Sequence, residues 1–115
     1  LADDNGVSGT SQLDTYGAFT SWLMQDQNFT PEQVAKVTAY NPGAFVNQFS
    51  DMTPIKFGEV AAGFAASFTV INTNQPWSVK SEDICSRSGW SPFEGVTFPG
   101  SVSAVFHMGK KLSIK

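Results

Sequence analysis

The chain has 115 residues, of which 41% are hydrophobic and 15% are charged, and its formal net charge is -3. This length allows one modest domain, and the apolar content is too high for a disordered chain. The acidic balance excludes nucleic-acid binders that need a basic surface to neutralise phosphates. Sparse charge and ten phenylalanines predict a piece that buries surface against something else.

The cysteine content and the first residues of the chain indicate the cellular compartment of the protein. One cysteine, Cys85, cannot form a disulfide within the chain and is typical of a reducing compartment, so we expect a cytoplasmic protein. No apolar run approaches the roughly 18–20 residues that cross a bilayer. The chain begins Leu1-Ala2-Asp3 without an initiator Met or a basic leader, as we expect of a fragment.

The first third of the chain predicts a loop and then helices. Residues 1–12 are rich in loop-forming residues, whereas Tyr16, Phe19, Trp22 and Leu23 recur at helical spacing over residues 13–24. We expect the apolar face of this helix to have no partner within the chain. Asp14 lies near the predicted helix start, where a negative charge suits the helix dipole.

A second helix start follows a few residues later. Thr30, Pro31 and Gln33 form a capping-box pattern, which predicts a helix that runs to about Tyr40. Asn41-Pro42 is expected to break it and to start another short helix, Gly43–Gln48.

The last third predicts a β-hairpin. Clean alternation after Gly100 indicates a strand with two faces, and Gly109-Lys110 is the predicted turn. We expect the apolar face to point inward and to pack on Phe68 and Val70 of an earlier predicted strand. The apolar face comprises Val102, Ala104, Phe106 and Met108, and the other face comprises Ser101, Ser103, Val105 and His107.

Few residues could perform chemistry. His107 is the only histidine, and one imidazole cannot form a catalytic zinc site, so we interpret it as a half-exposed strand residue. Cys85 has no neighbouring His or Lys in the sequence to activate it and is interpreted as a structural thiol. Glu94 is expected to accept hydrogen bonds from backbone donors in a loop. We therefore predict no catalytic residue and no metal ligand in this chain.

One stretch carries a family resemblance. Trp90-Ser91-Pro92-Phe93-Glu94-Gly95, followed by Phe98-Pro99-Gly100, resembles the C-terminal region of dihydroorotases and their relatives among the cyclic amidohydrolases. The upstream segment with Gly58 and Gly63 is similar to the wider amidohydrolase superfamily. Residues 12–49 resemble the last barrel helix region of the family and the helix that follows it.

The resemblance implies a fold and a function. The chain would be an α+β fragment: residues 1–50 the last helices of a (β/α)8 metal-dependent hydrolase barrel, and residues 51–115 strands and loops of the flanking small β-sandwich. The intact parent would be a zinc amidohydrolase of pyrimidine biosynthesis that reversibly hydrolyses dihydroorotate to carbamoyl aspartate. Since the family's zinc ligands lie outside this chain, we expect the chain alone to bind no zinc and to be inactive. Its expected partners are the remainder of the barrel and a small-molecule substrate, and neither nucleic acid nor membrane.

The resemblance also implies a substrate contact. In the family, a turn before a Leu-Glu/Asp-Thr helix start presents backbone amides to the substrate carboxylate. Here Leu13-Asp14-Thr15 matches the helix start, and Val7, Ser8 and Gly9 fall at the turn, without the family's proline. These three residues are the predicted substrate-binding residues, and a flexible entry loop is the alternative.

Two other functions stay open at this point. The first is a free-standing, non-catalytic α+β scaffold or interaction module. The second keeps the amidohydrolase parent but changes its substrate to hydantoin or allantoin, since those enzymes share the scaffold.

Overall fold

The helices come first along the chain and antiparallel strands follow, in a computed structural model that describes residues 12–49 and 54–114. The predicted α+β class is confirmed. No helix in these two ranges is long and apolar enough to cross a membrane. The helices are α1 (Tyr16–Gln25), α2 (Pro31–Ala35) and α3 (Asn41–Asn47), and the strands are β1 (Phe68–Asn72), β2 (Trp77–Ser78), β3 (Thr97–Phe98), β4 (Ser101–His107) and β5 (Lys110–Leu112).

The strands form two antiparallel sheets. One has the order β1-β4-β5, and the other pairs β2 with β3. Phe68 lies opposite Phe106, and their rings stack with centroids 4.7 Å apart. The predicted pairing of the earlier strand with the terminal hairpin is confirmed.

A β-bulge interrupts the alternation of β4. The register shifts between Val70 and Ile71, and Ile71 lies opposite Val102, so that Ser103 is an extra residue in β4. A bulge of this kind changes which residues share a face. Val102 and Val105 therefore lie on the same face of β4, where both line a groove in the protein surface. The prediction that they lie on opposite faces is wrong.

The hairpin turn lies one residue earlier than predicted. His107 pairs with Lys110, and the two turn residues between them, Met108 and Gly109, have φ values of 49° and 80°. Two positive φ values are typical of the type I′ turn, whose twist matches the flanking strands. Met108 is consequently an exposed turn residue rather than part of the apolar face, whereas His107 is exposed on its strand as predicted.

The second helical segment starts where its capping pattern predicts. The Gln33 backbone N–H donates to Thr30 Oγ1 at 3.2 Å, and the Thr30 N–H donates to Gln33 Oε1 at 2.8 Å. Pro31 occupies the first helical position. The capping box is confirmed.

The predicted helix break at Asn41-Pro42 is wrong. A π-turn, Lys36–Tyr40, joins α2 to α3, and the Asn41 N–H donates to the carbonyl of Lys36. Pro42 has no N–H, and its ring would clash with the carbonyl four residues earlier in a regular α-helix. A wider π-turn relieves that clash without ending the helix.

Helix α1 packs on the loops and strands that follow it. Ala18, Val79 and Phe98 are almost completely buried, and Phe19 and Trp22 pack against them. The ring of Phe19 also lies 5.9 Å from that of Phe93. The expectation that the apolar face of this helix lacks a partner within the chain is therefore wrong for Phe19 and Trp22, which pack against core residues of the 77–98 segment.

A glycine lets α1 approach the three-stranded sheet. A Cβ atom at Gly17 would lie 2.4 Å from Val102 Cγ2 and 3.4 Å from Ile71 Cδ1. The atoms that approach Gly17 most closely belong to side chains of the sheet. This contact fixes the start of α1 beside the face of β4 that lines the groove.

Candidate functional site

A groove with a volume of about 590 Å³ lies between the start of α1, the loop after the 3-10 turn Ser81–Asp83, and one face of β4. Valine side chains of β4 and the Trp77 indole supply apolar surface, and two carboxylates lie among the lining residues. The lining residues are Asp14, Gln75, Trp77, Asp83, Cys85, Ser101, Val102, Val105, Ser113 and Ile114.

Asp14 is the most constrained ionisable group of the groove. Its Oδ1 accepts the Cys85 N–H at 3.2 Å, and its Oδ2 accepts the Ser86 N–H at 3.1 Å and the Ser86 hydroxyl at 2.5 Å. The Ser86 hydroxyl is the largest cause of a pKa lowered below the usual value for Asp, and burial opposes it. A carboxylate held ionised by three donors is a poor general base, since such a base needs a pKa near the working pH.

The other polar groups near Cys85 make hydrogen bonds within the loop itself. The Asp83 carboxylate accepts the Lys80 N–H at 3.3 Å, and the Cys85 thiol donates to the Asp83 carbonyl at 3.7 Å. Cys85 is exposed and packs into no core. Its backbone N–H, rather than the thiol of our interpretation, makes the contact that holds the loop to Asp14.

Residues 90–100, which carry the family resemblance and are called the signature stretch, contribute to the core. Ser91 is buried, and its Oγ accepts the Phe93 N–H at 3.2 Å. The Gly95 N–H donates to the Val79 carbonyl at 2.9 Å, and the Phe93 and Phe98 rings lie 5.4 Å apart. These contacts give the Ser, Phe and Gly residues of the motif structural roles.

Glu94 differs from expectation in its partner. Its carboxylate accepts a hydrogen bond from the Ser81 hydroxyl rather than from backbone donors. Both residues are exposed. Glu94 therefore connects the signature stretch to the 3-10 turn at the surface.

Zinc, which the resemblance implies, does not fit the described residues. Residues 12–49 and 54–114 contain no group of three or more His, Cys, Asp and Glu side chains that could hold a metal ion. A catalytic zinc site needs three protein ligands. No reaction step is therefore assigned to a metal held by this part of the chain.

The predicted substrate-binding residues, Val7, Ser8 and Gly9, lie outside the described residues. The predicted helix start that follows them, Leu13-Asp14-Thr15, lies inside the described residues and contains Asp14. Its partners lie 71 and 72 residues later in the chain. No local sequence pattern predicts a contact between residues so far apart in the chain.

Comparison with known proteins gives one consistent name. The dihydroorotase of Mycobacterium tuberculosis is 31% identical over 77 residues, which cover 67% of this chain and 17% of that protein. The dihydroorotase of Methanosphaera stadtmanae is 28% identical over 93% of this chain and 24% of its own length. That of Thermococcus kodakarensis is 38% identical over 42% of this chain.

No family model matches the chain. Six curated relatives nevertheless share the name dihydroorotase, in agreement with the resemblance carried by the signature stretch. The chain spans less than a quarter of the length of each of them. The resemblance is thus confirmed, and the chain is a relative of the dihydroorotases over a limited part of their length.

Proposed function

We propose that this chain is the C-terminal part of a dihydroorotase-like amidohydrolase. Residues 1–50 would complete the (β/α)8 barrel, and residues 51–115 would belong to the flanking β-sandwich. The observation that carries the proposal is the dihydroorotase name shared by relatives whose similarity extends over 67% of this chain or more.

The proposed reaction is the reversible hydrolysis of the cyclic amide of dihydroorotate to carbamoyl aspartate, in a cytoplasmic enzyme of pyrimidine biosynthesis. Bound zinc would polarise the amide carbonyl and make water nucleophilic near neutral pH. Since the described residues do not fit that metal, residues elsewhere in the intact protein would hold it. The described part of the chain would act as scaffold, with Asp14 and the signature stretch holding the loops in place.

Exposed apolar surface on the segment that holds α2 and α3 supports a larger parent. Val37, Phe45 and Phe49 are 54%, 62% and 71% exposed. The Phe45 and Phe49 rings contact each other with centroids 5.2 Å apart. Clustered exposed aromatic residues are typical of a surface that another part of a protein covers, and the remainder of the barrel would cover this one.

One observation favours the alternative, a free-standing α+β module. Phe19 and Trp22 find their partners within the chain, against Phe93 and Phe98. A module that folds alone needs a core within its own chain. The two proposals therefore differ in two respects. In the first, the rest of an enzyme covers α3 and belongs to the same protein as this chain; in the second, α3 is exposed and the protein is not an enzyme.

The test is an assay of the protein made from the complete open reading frame that encodes this chain. It would be purified with zinc and offered dihydroorotate, hydantoin and allantoin in parallel, with the 115-residue chain as the matched control. We expect turnover of dihydroorotate and bound zinc in the complete protein, and neither in the control. Turnover of hydantoin or allantoin alone would assign the other substrate class, and a folded product without hydrolase activity would favour the module.

A further inference from the structure

The groove beside β4 combines negative charge with apolar surface. Asp14 and Asp83 line it together with the Trp77 indole and the side chains of Val102 and Val105. We propose that the groove binds a small organic cation, a molecule with an apolar body and one ammonium group. This site is independent of the proposed function, because binding requires no turnover.

The two carboxylates keep their negative charges in the groove, since their hydrogen-bond donors are neutral. Cys85 and Ser86 donate three hydrogen bonds to Asp14. The Lys80 backbone N–H donates one hydrogen bond to Asp83, at 3.3 Å. No Lys, Arg or His is among the described residues that line the groove. A cationic ligand would therefore be attracted by two carboxylates and repelled by no described lining residue.

The side chain of Lys80 is directed to a different carboxylate. Its Nζ lies 3.5 Å from Oε1 of Glu82, a residue that does not line the groove. Asp83, the next residue, is half-buried and lines it. Two neighbouring carboxylates thus have different surroundings, one paired at the surface and one in the groove.

The apolar wall of the groove is held in place by the rest of the fold. Trp77 pairs with Phe98 between β2 and β3 and packs against the buried core. Val102 lies against Gly17 at the start of α1. A wall that is already ordered binds an apolar group at a smaller entropic cost. An indole also attracts a cation over its face more strongly than a Phe or Tyr ring does.

The size and the lining of the groove favour an organic cation over a metal ion. Its volume is about 590 Å³, and sites for small molecules usually have about 300–1,000 Å³. Residues 12–49 and 54–114 contain no group of three or more side chains that could hold a metal ion. Phenethylamine, which carries a phenyl ring and an ammonium group at neutral pH, has both features that the groove selects.

The experiment measures binding of phenethylamine to the complete protein by calorimetry, at pH 7 and near physiological ionic strength. The matched control ligand is 2-phenylethanol, which has the same ring and chain without the charge. We expect phenethylamine to bind about tenfold more tightly, because a partly exposed ion pair and a cation–π contact together contribute about that factor.

Two substitutions use the neighbouring carboxylates as a matched pair. Asp83→Asn removes a charge from the groove, and Glu82→Gln removes a charge beside it. We expect Asp83→Asn to weaken phenethylamine binding about three- to fivefold and to leave 2-phenylethanol binding unchanged. Glu82→Gln should change neither affinity by more than about twofold, since salt screens charges that are not in contact.

The Cys85 thiol reports where the ligand binds, because it is exposed and Cys85 lines the groove. Phenethylamine at about ten times its Kd should occupy most sites and slow the reaction of Cys85 with methyl methanethiosulfonate at least about threefold. Mass spectrometry of the peptide that contains Cys85 measures this rate. The same concentration of 2-phenylethanol should protect the thiol less.

Three results would each contradict this binding site: equal affinities for the two ligands, equal effects of Asp83→Asn and Glu82→Gln, or no protection of Cys85. Binding to the 115-residue chain but not to the complete protein would also overturn it, because the rest of the protein would then cover the groove. If Asp83→Asn does not fold, the two ligands and the protection of Cys85 decide. Turnover of dihydroorotate is measured separately, so failure of the proposed function is distinguishable from failure of this site.

Discussion

Asp14 combines two residue-scale effects that are usually discussed apart, a helix-terminal charge and a long-range hydrogen-bond acceptor. The position before α1 suits a negative charge, as the sequence predicts. The structure adds the donors of Cys85 and Ser86, which stabilise the ionised form. The lowered pKa of Asp14 is thus a consequence of tertiary contact.

This pKa predicts how stability depends on pH. Because the folded pKa lies below the unfolded value of about 3.9, the contribution of Asp14 is present above that value and is lost as the pH falls through the folded pKa. Wild type should therefore be more stable than Asp14→Asn at pH 7, and the difference should shrink at pH 3. Urea denaturation midpoints at the two pH values measure it, and an equal difference at both would contradict the assignment.

Burial of single aromatic residues gives a matched pair of substitutions. Phe98 is 3% exposed in the core, whereas Phe45 is 62% exposed on α3. In the 115-residue chain, Phe98→Ala should cost about 3–5 kcal/mol of unfolding free energy, the range for removing a buried ring. Phe45→Ala should cost less than about 1 kcal/mol. Chemical denaturation of both variants tests this, and equal costs would refute the core described above.

At the scale of elements, α3 contacts the chain that follows it through two glycines. A Cβ atom at Gly43 would lie 2.5 Å from Gly58 Cα and 2.5 Å from the Phe57 carbonyl oxygen. Gly58 itself has a φ of 104°, a conformation that L side chains rarely adopt. The helix and the loop can therefore approach only while both positions lack side chains.

The change in unfolding free energy caused by one substitution, by its sign, tests whether α3 lies this close to the loop. Helix propensity alone predicts that Gly43→Ala would stabilise the chain by about 0.5–1 kcal/mol. The backbone contact predicts the opposite, a loss of roughly 1–3 kcal/mol, because the backbone of residues 57–58 must shift. Ala44→Gly, at an exposed position of the same helix, is the control for propensity. A stabilised Gly43→Ala variant would show that α3 does not lie against this loop.

The helices and strands also show which structural features local sequence patterns can predict. Thr30 and Gln33 lie three residues apart, so the capping box is visible in the sequence and is confirmed. The bulge at Ser103 depends on pairing with β1, some 30 residues earlier, and no local alternation reveals it. Pro42 shows that a regular α-helix cannot continue through this position. Whether the helix ends there or continues through a π-turn depends on packing such as that of Gly43 against Gly58.

At the scale of the whole molecule, residues 12–49 and 54–114 include a packed region and an apolar region on α3 that they leave exposed. The packed region joins α1 to the signature stretch, and the exposed region includes Phe45 and Phe49. The sequence predicts a piece that buries surface against a partner, but it places that surface on the face of α1 that holds Phe19 and Trp22. Helical periodicity shows that a face is apolar and does not show what covers it.

The candidate site is less predictable than the fold for a related reason. Its lining residues come from α1, the 75–85 region, β4 and residues 113–114, which only tertiary structure brings together. The sequence indicates a helix-start role for Asp14, but it does not indicate the partners Cys85 and Ser86. The signature stretch, in contrast, identified the dihydroorotase resemblance from a few contiguous residues.

The central claim is that this chain is an integral part of a dihydroorotase-like enzyme, and immunodepletion tests it most directly. An antibody raised against the 115-residue chain would be used on an extract of source cells, followed by assays for the cyclisation of carbamoyl aspartate. We predict that the antibody removes this activity together with a protein several times the size of the chain. Complete removal of the antigen with the activity left in the supernatant would contradict the account.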